Sequence, residues 1–159
     1  MRVRTSALLL VVSLLLVGAT PRAAAQNRSI AVVVSPRNSV SQVQMGELIK
    51  LFTGEKRTWS GGVPVKLFTR SLGTVEHDAL LKLLKMSETE YKQHWAGRIY
   101  QGEAEAEPVA LPSNGMAREA VVAIPGAIAL VVFTEIKPGM KVLRVNNKLP
   151  DEDGYPLHQ

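Results

Sequence analysis

Apolar and polar positions change period several times along the chain. Ile30 to Val34, IAVVV, is an unbroken apolar run rich in β-branched residues. It predicts a strand buried on both faces, as in a parallel or mixed sheet. Ser41 followed by Gln44 has the spacing of a capping box and predicts a helix start. Val43, Leu48, Ile49 and Phe52 then recur at helical spacing, and Gly54 ends the run. Val63 to Phe68 predicts a short strand that enters a polar turn, Thr69 to Thr74. The helix after it carries Leu80, Leu81, Leu83 and Leu84 on its buried side. Ser87 with Glu90 opens the next helix, which bears Tyr91, Trp95 and Ile99. Gly102 to Glu107 is an acidic, Ala-rich loop.

Val109 to Leu111 predicts a short strand, and Ser113 caps a helix over Asn114 to Ala123 that Pro125-Gly126 ends. Ala127 to Thr134, AIALVVFT, is the second wholly apolar strand. Pro138-Gly139 turns the chain into a last strand, Lys141 to Val145. In the polar tail, Leu149, Tyr155 and Leu157 are the anchors. Strands alternating with helices give an α/β class. The expected core gathers Ile30, Val32, Val34, Leu48, Phe52, Leu80, Leu84, Val121, Ile128, Leu130 and Val132 around one sheet.

Composition changes the picture at the N-terminus first. Arg2 and Arg4 precede the almost unbroken apolar run Ala7 to Val17, and Ala23-Ala24-Ala25 supplies small residues. This is the pattern of a secretory signal peptide cut after Ala25, and the run is short for a membrane span. The chain has no Cys, so a lipoprotein anchor, a disulfide and a Cys-type zinc site are all excluded. Adjacent arginines are absent, which argues against a twin-arginine route. Removing 25 residues from 159 leaves 134, the size of one domain, residues 26–159. Three of the 19 Lys and Arg residues and none of the 14 acids lie in the leader. The remainder carries a net +2, too little to point to nucleic acid.

The turn is the stretch with chemistry. Arg70, Ser71, Gly73 and Thr74 lie just before the first free amides of a helix, where the helix dipole is positive. Strand, glycine turn and helix N-terminus make a seat for an oxyanion, and Arg70 adds a charged fork of donors. The same residues also read as a Thr N-cap and nothing more. Arg70 is expected in the turn, outside the core. His77 and Asp78 are adjacent and point apart on a helix. Glu76, His77 and Asp78 lack the spacing of helical metal motifs, so no metal or cofactor is expected. Glu76 and Asp78 fit as first-turn acids. No nucleophile elbow, P-loop or dinucleotide fingerprint is present, and Ser71 has no evident base, so no catalytic residue is expected. Trp59 and Trp95 read as core covers, and Lys56, Arg57 and Lys66 as solvated surface.

Four stretches in matching order resemble the periplasmic phosphate-binding proteins of ABC transporters, members of the bilobal solute-binding superfamily. VQMGELIKLFTGEKRTWSGG resembles their helix, aromatic-Gly and Trp segment. Arg70-Ser71-x-Gly73-Thr74 resembles their phosphate turn, Arg-x-Asp-x-Ser-Gly-Thr. GMAREAVVAIPGAIALVVF resembles their helix, Pro-Gly-Ala-Ile turn and strand, and Tyr155-Pro156-Leu157 a Tyr-Pro-Leu near their end. The resemblance implies one lobe of that fold, with a central mixed sheet flanked by helices. It also implies periplasmic location and an ABC permease or other envelope protein as partner. The sequence departs from the pattern where the turn lacks the Asp and the Ser and has Leu72 before Gly73.

Two functions follow from these readings. The first is a substrate-binding-type protein that takes phosphate or a similar oxyanion weakly at Arg70, Ser71, Gly73 and Thr74. The second is a ligand-free single-lobe interaction module of the cell envelope that docks on another protein or self-associates. Export is testable directly: mass spectrometry of the periplasmic protein is expected to find a chain starting at Gln26. An intact Met1 in the membrane fraction would contradict the leader.

Overall fold

The computed structural model of the chain describes residues 29–158. The leader expected over residues 1–25 lies outside them. In chain order the elements are β1 (Ile30–Val34), β2 (Gln42–Val43), α1 (Met45–Phe52), β3 (Lys66–Arg70), α2 (Val75–Leu84), α3 (Glu88–Tyr100), β4 (Val109–Leu111), α4 (Asn114–Ala123) and β5 (Ala127–Val132). A single 3-10 turn, Phe133–Glu135, leads on to β6 (Lys141–Val142) and β7 (Arg144–Val145). The expected α/β class and central mixed sheet are borne out. Five strands run in the order β4-β3-β5-β1-β6. β3 is parallel to β4 and β5, whereas β1 is antiparallel to β5 and β6.

Every residue of β1 is buried, as its composition demands. Residues two apart along a strand share a face, so the sheet sorts its apolar side chains into two sets. Ile30, Val32, Val34, Ile128 and Leu130 face Leu48, Phe52, Leu80, Leu84 and Trp95. Ala31, Val33, Ala129 and Val131 face Ala117 and Val121 of α4. The expected single cluster is therefore two, one on each face. Val121 packs on the second face and Val132 is only half-buried.

The tail closes over β1. Ile30 N–H donates to the Leu157 carbonyl at 2.9 Å, and the Tyr155 hydroxyl donates to the Ile30 carbonyl at 2.8 Å. Burial raises the Tyr155 phenol above its ordinary pKa. Trp59 covers the core from its loop, its indole N–H on the Gly126 carbonyl at 2.9 Å. Gly126 is required by close approach: a Cβ there would lie 1.8 Å from the Pro64 carbonyl oxygen.

Three local expectations are corrected. The first is the helix start at Ser41. Gln42 and Val43 form β2 instead, paired in parallel with β7, and α1 begins at Met45. Its N-cap Gln44 makes no side-chain cap bond; the Met45 amide donates to Asn146 Oδ1 at 2.9 Å. A residue distant in sequence supplies what the capping box was expected to supply. Second, the last strand divides at Leu143, which is fully buried and bonded through its amide to the Val32 carbonyl. β6 stays with the main sheet and β7 joins β2. Third, the strand expected from Val63 to Phe68 runs from Lys66 to Arg70, because Thr69 and Arg70 pair with Ala110 and Leu111.

Ser87 and Glu90 form the expected capping box, and Ser113 caps α4 through the Met116 amide. On α2, Leu80, Leu83 and Leu84 are buried and Leu81 is partly so. Truncating Leu84 to Ala is expected to cost about 2–5 kcal/mol of stability. Denaturant unfolding measures it, and an unchanged midpoint would mean that this face of α2 is not packed.

Candidate oxyanion site

β3 and β4 are parallel and in register, so the segments that follow them leave the sheet at one edge. There the turn Ser71 to Thr74 enters α2, and Ser113 enters α4. Gly73 has φ 82, the left-handed region that Gly reaches without Cβ strain. Space does not require the glycine, because nothing lies within 4 Å of a Cβ built there. Thr74 is the N-cap of α2: its Oγ1 accepts from His77 N–H at 3.3 Å and donates to the Ser71 carbonyl at 2.8 Å. Ser71 donates its amide to the Leu111 carbonyl at 3.3 Å, and its hydroxyl lies 3.4 Å from the same oxygen. The amides of Leu72, Gly73, Val75 and Glu76 take no acceptor among the described residues. The tip is open, with Leu72 65% exposed.

Arg70 differs from its expected placement. It closes β3, is 9% exposed, and donates from Nη1 to the Leu111 carbonyl at 2.7 Å. Its Nε takes no hydrogen-bond acceptor and lies 3.9 Å from Glu76 Oε1. Glu76, read as a first-turn acid of the helix, is buried beside it. The strand pairing that lengthens β3 carries the guanidinium inward, and a buried charge needs a partner of opposite sign. The turn thus brings together the Ser71, Gly73 and Thr74 backbone, while Arg70 stands behind it and faces Glu76.

His77, weighed and set aside on the sequence, is buried. Nδ1 lies 3.1 Å from the Arg70 carbonyl and Nε2 2.6 Å from Glu88 Oε2. The ring ties β3 to the first turn of α3. The His77 hydrogen bond, aided by Lys92 at 3.3 Å, holds the Glu88 carboxyl below the usual carboxylate range. Burial pushes the Tyr91 phenol up to about 12. No local sequence pattern marks this cluster.

Other candidates stand apart. Asp78 is exposed, and no three metal-ligating side chains gather among the described residues. Lys56 pairs with Glu47, and Arg57 donates to the Glu103 carbonyl at 2.9 Å. A groove of about 500 Å3 opens at the opposite end of β3, between Lys66, Trp95 and the loop carrying Glu105 and Glu107. No helix among the described residues is long and apolar enough to cross a membrane.

Solved structures share this fold. An ABC-type phosphate transport receptor from Vibrio cholerae superposes with a TM-score of 0.62 at 15% identity, over 77% of this chain and 48% of its own. The fold is that of one lobe of a phosphate-transport receptor. A substrate-binding protein from Clostridium perfringens, assigned to phosphate ABC transport and solved with bound phosphate, gives a TM-score of 0.62 at 15% identity, over 77% and 47%. PstS from Borrelia burgdorferi gives 0.58 at 19% identity, over 77% and 49%. The chain spans about half the length of these structures. No family model matches the sequence, and no curated protein matches it.

The burial of Arg70 sets an expectation for its removal. Arg70→Ala leaves Glu76 buried without a counter-charge and the Leu111 carbonyl without its closest donor. The loss is expected to be about 3–5 kcal/mol, as for one partner of a buried pair. A midpoint within error of the parent in denaturant unfolding would mean that the pair contributes nothing.

Proposed function

We propose that this chain is an extracytoplasmic substrate-binding-type protein that takes phosphate or a related oxyanion at the turn Ser71 to Thr74. The observation that carries the reading is the set of unpartnered amides at Leu72, Gly73, Val75 and Glu76, at a helix N-terminus behind which Arg70 is buried. Such amides and the helix dipole favour an anion. The fold shared with phosphate-transport receptors supports the same choice, as do the resemblance of the turn and the leader pattern. Binding rather than catalysis fits Ser71, whose hydroxyl faces a carbonyl and not a base. An ABC permease or another envelope protein is the partner this role requires.

The affinity is expected to be weak. The tip is open to water, where charge pairs are screened. Thr74 has both of its hydroxyl bonds committed within the turn, and Glu76 competes for the guanidinium. A dissociation constant on the order of millimolar, about 4 kcal/mol, is expected for phosphate in calorimetry at low salt. Leu72→Asp places a carboxylate at the exposed tip without touching the core and is expected to abolish the heat of binding. Lys56→Ala is expected to leave it unchanged. Binding retained in Leu72→Asp, or absent from the parent at any attainable concentration, would remove this reading.

A second reading has its own support. Leu72, Val75 and Met116 are exposed apolar side chains on segments that leave the same sheet edge. An interaction module of the cell envelope, docking on another protein or on its own copy, would use that rim. It is the reading that stands if no oxyanion binds.

A further inference from the structure

His77 is 6% exposed and makes two contacts that decide its proton count. Nδ1 lies 3.1 Å from the Arg70 carbonyl oxygen, and Nε2 lies 2.6 Å from Glu88 Oε2. A carbonyl only accepts, and so does an ionised carboxylate. A neutral imidazole has one N–H and one bare lone pair, so it can satisfy one of these two acceptors. The other nitrogen would then point its lone pair at an oxygen lone pair within contact distance. One more proton is needed, on the ring or on Glu88.

Glu88 is the poorer place for it. Its other oxygen lies 3.3 Å from the Lys92 ammonium. It occupies the first turn of α3, where the helix dipole favours a carboxylate. It keeps 29% of its side-chain surface in contact with water. The remaining groups near the ring do not change the assignment. Arg70 and Glu76 form their own pair, Asp78 is exposed, and Tyr91 meets the ring edge-on at 6.1 Å.

We propose that His77 is held as an imidazolium whose two N–H groups fasten the last residue of β3 to the first turn of α3, so that a charged strut positions the turn Ser71 to Thr74. It is a positioning residue and touches no ligand. Its effect on an anion rests on the function proposed above; its protonation does not.

The test uses the full chain labelled with 15N-histidine. Long-range 1H–15N correlation near pH 7.5, where an ordinary histidine is mostly neutral, is expected to show both His77 ring nitrogens protonated. A single neutral tautomer overturns the proposal. Glu88→Gln replaces an acceptor-only group with an amide that can donate to a bare Nε2. The folded variant is expected to lose the second ring proton at the same pH. A ring that keeps both protons in Glu88→Gln removes Glu88 as counter-ion and overturns the strut.

Calorimetric titration of sulfate, whose charge is constant over this range, tests the positioning role. Parent affinity is expected to fall several-fold as pH rises through the loss of the second ring proton, with Glu88→Gln flat. A parent profile that stays flat while the ring titrates overturns the positioning role. Absence of sulfate binding at every pH, with the ring doubly protonated, leaves the strut standing and sinks the oxyanion function instead.

Discussion

β1 and β5 pair antiparallel along five residues, Ile30 opposite Val132 and Val34 opposite Ile128. Apart from the half-buried Val132, they leave almost no surface to water. Each buried Val or Ile gains about 1.5–3 kcal/mol by leaving water, so both faces of this pair must be covered. α1, α2 and α3 cover one face and α4 the other. Covering both faces from a parallel arm, β4-β3-β5, requires helical crossovers, and crossovers return each chain segment to the same sheet edge. The turns after β3 and β4 therefore meet at one edge, and the N-termini of α2 and α4 come with them. The candidate site is a consequence of how the apolar strands are buried.

The electrostatics of that edge follow from how far β3 extends. Pairing of Arg70 with Leu111 carries the strand two residues past its expected end at Phe68. The guanidinium is desolvated, and at 3.9 Å Glu76 offers charge without a close hydrogen bond. Desolvation of such a pair is recovered only when the remaining donors are satisfied, and Arg70 Nε has no acceptor. The acidic partner comes from α2, six residues after the arginine.

What could be read in the sequence follows a physical division. The apolar strands were legible because a run such as IAVVV has no other stable place. The caps at Ser87 and Ser113 were legible because a cap is a contact between residues three apart. The turn was visible through Gly73 and Thr74 for the same reason. α1 was misplaced because its first amide is satisfied by Asn146, 101 residues away. Arg70 was placed in a turn outside the core, and the burial of Glu76 and His77 went unread, because all three depend on β4, α3 and strand register. Hydrophobic periodicity reports on a residue's own element and is silent about a charge whose partners lie on two others.

The two functional readings meet at the same edge, and the dielectric connects them. An anion on the open turn would be attracted by amides and a buried arginine through a medium close to water, where a unit charge pair at 4 Å is worth about 1 kcal/mol. Covering the turn with an apolar surface lowers the effective dielectric and strengthens every one of those attractions several-fold. Leu72 and Val75 are exposed at the turn, where they would contact such a cover, and Met116 is exposed on the first turn of α4. They gain nothing from an anion, and the unpartnered amides gain nothing from an apolar cover that brings no acceptor. A single partner surface that carries an acidic or phosphorylated group within an apolar surround satisfies both sets at once. Free phosphate would satisfy only the amides, which is the physical reason that binding at this open turn is expected to be weak.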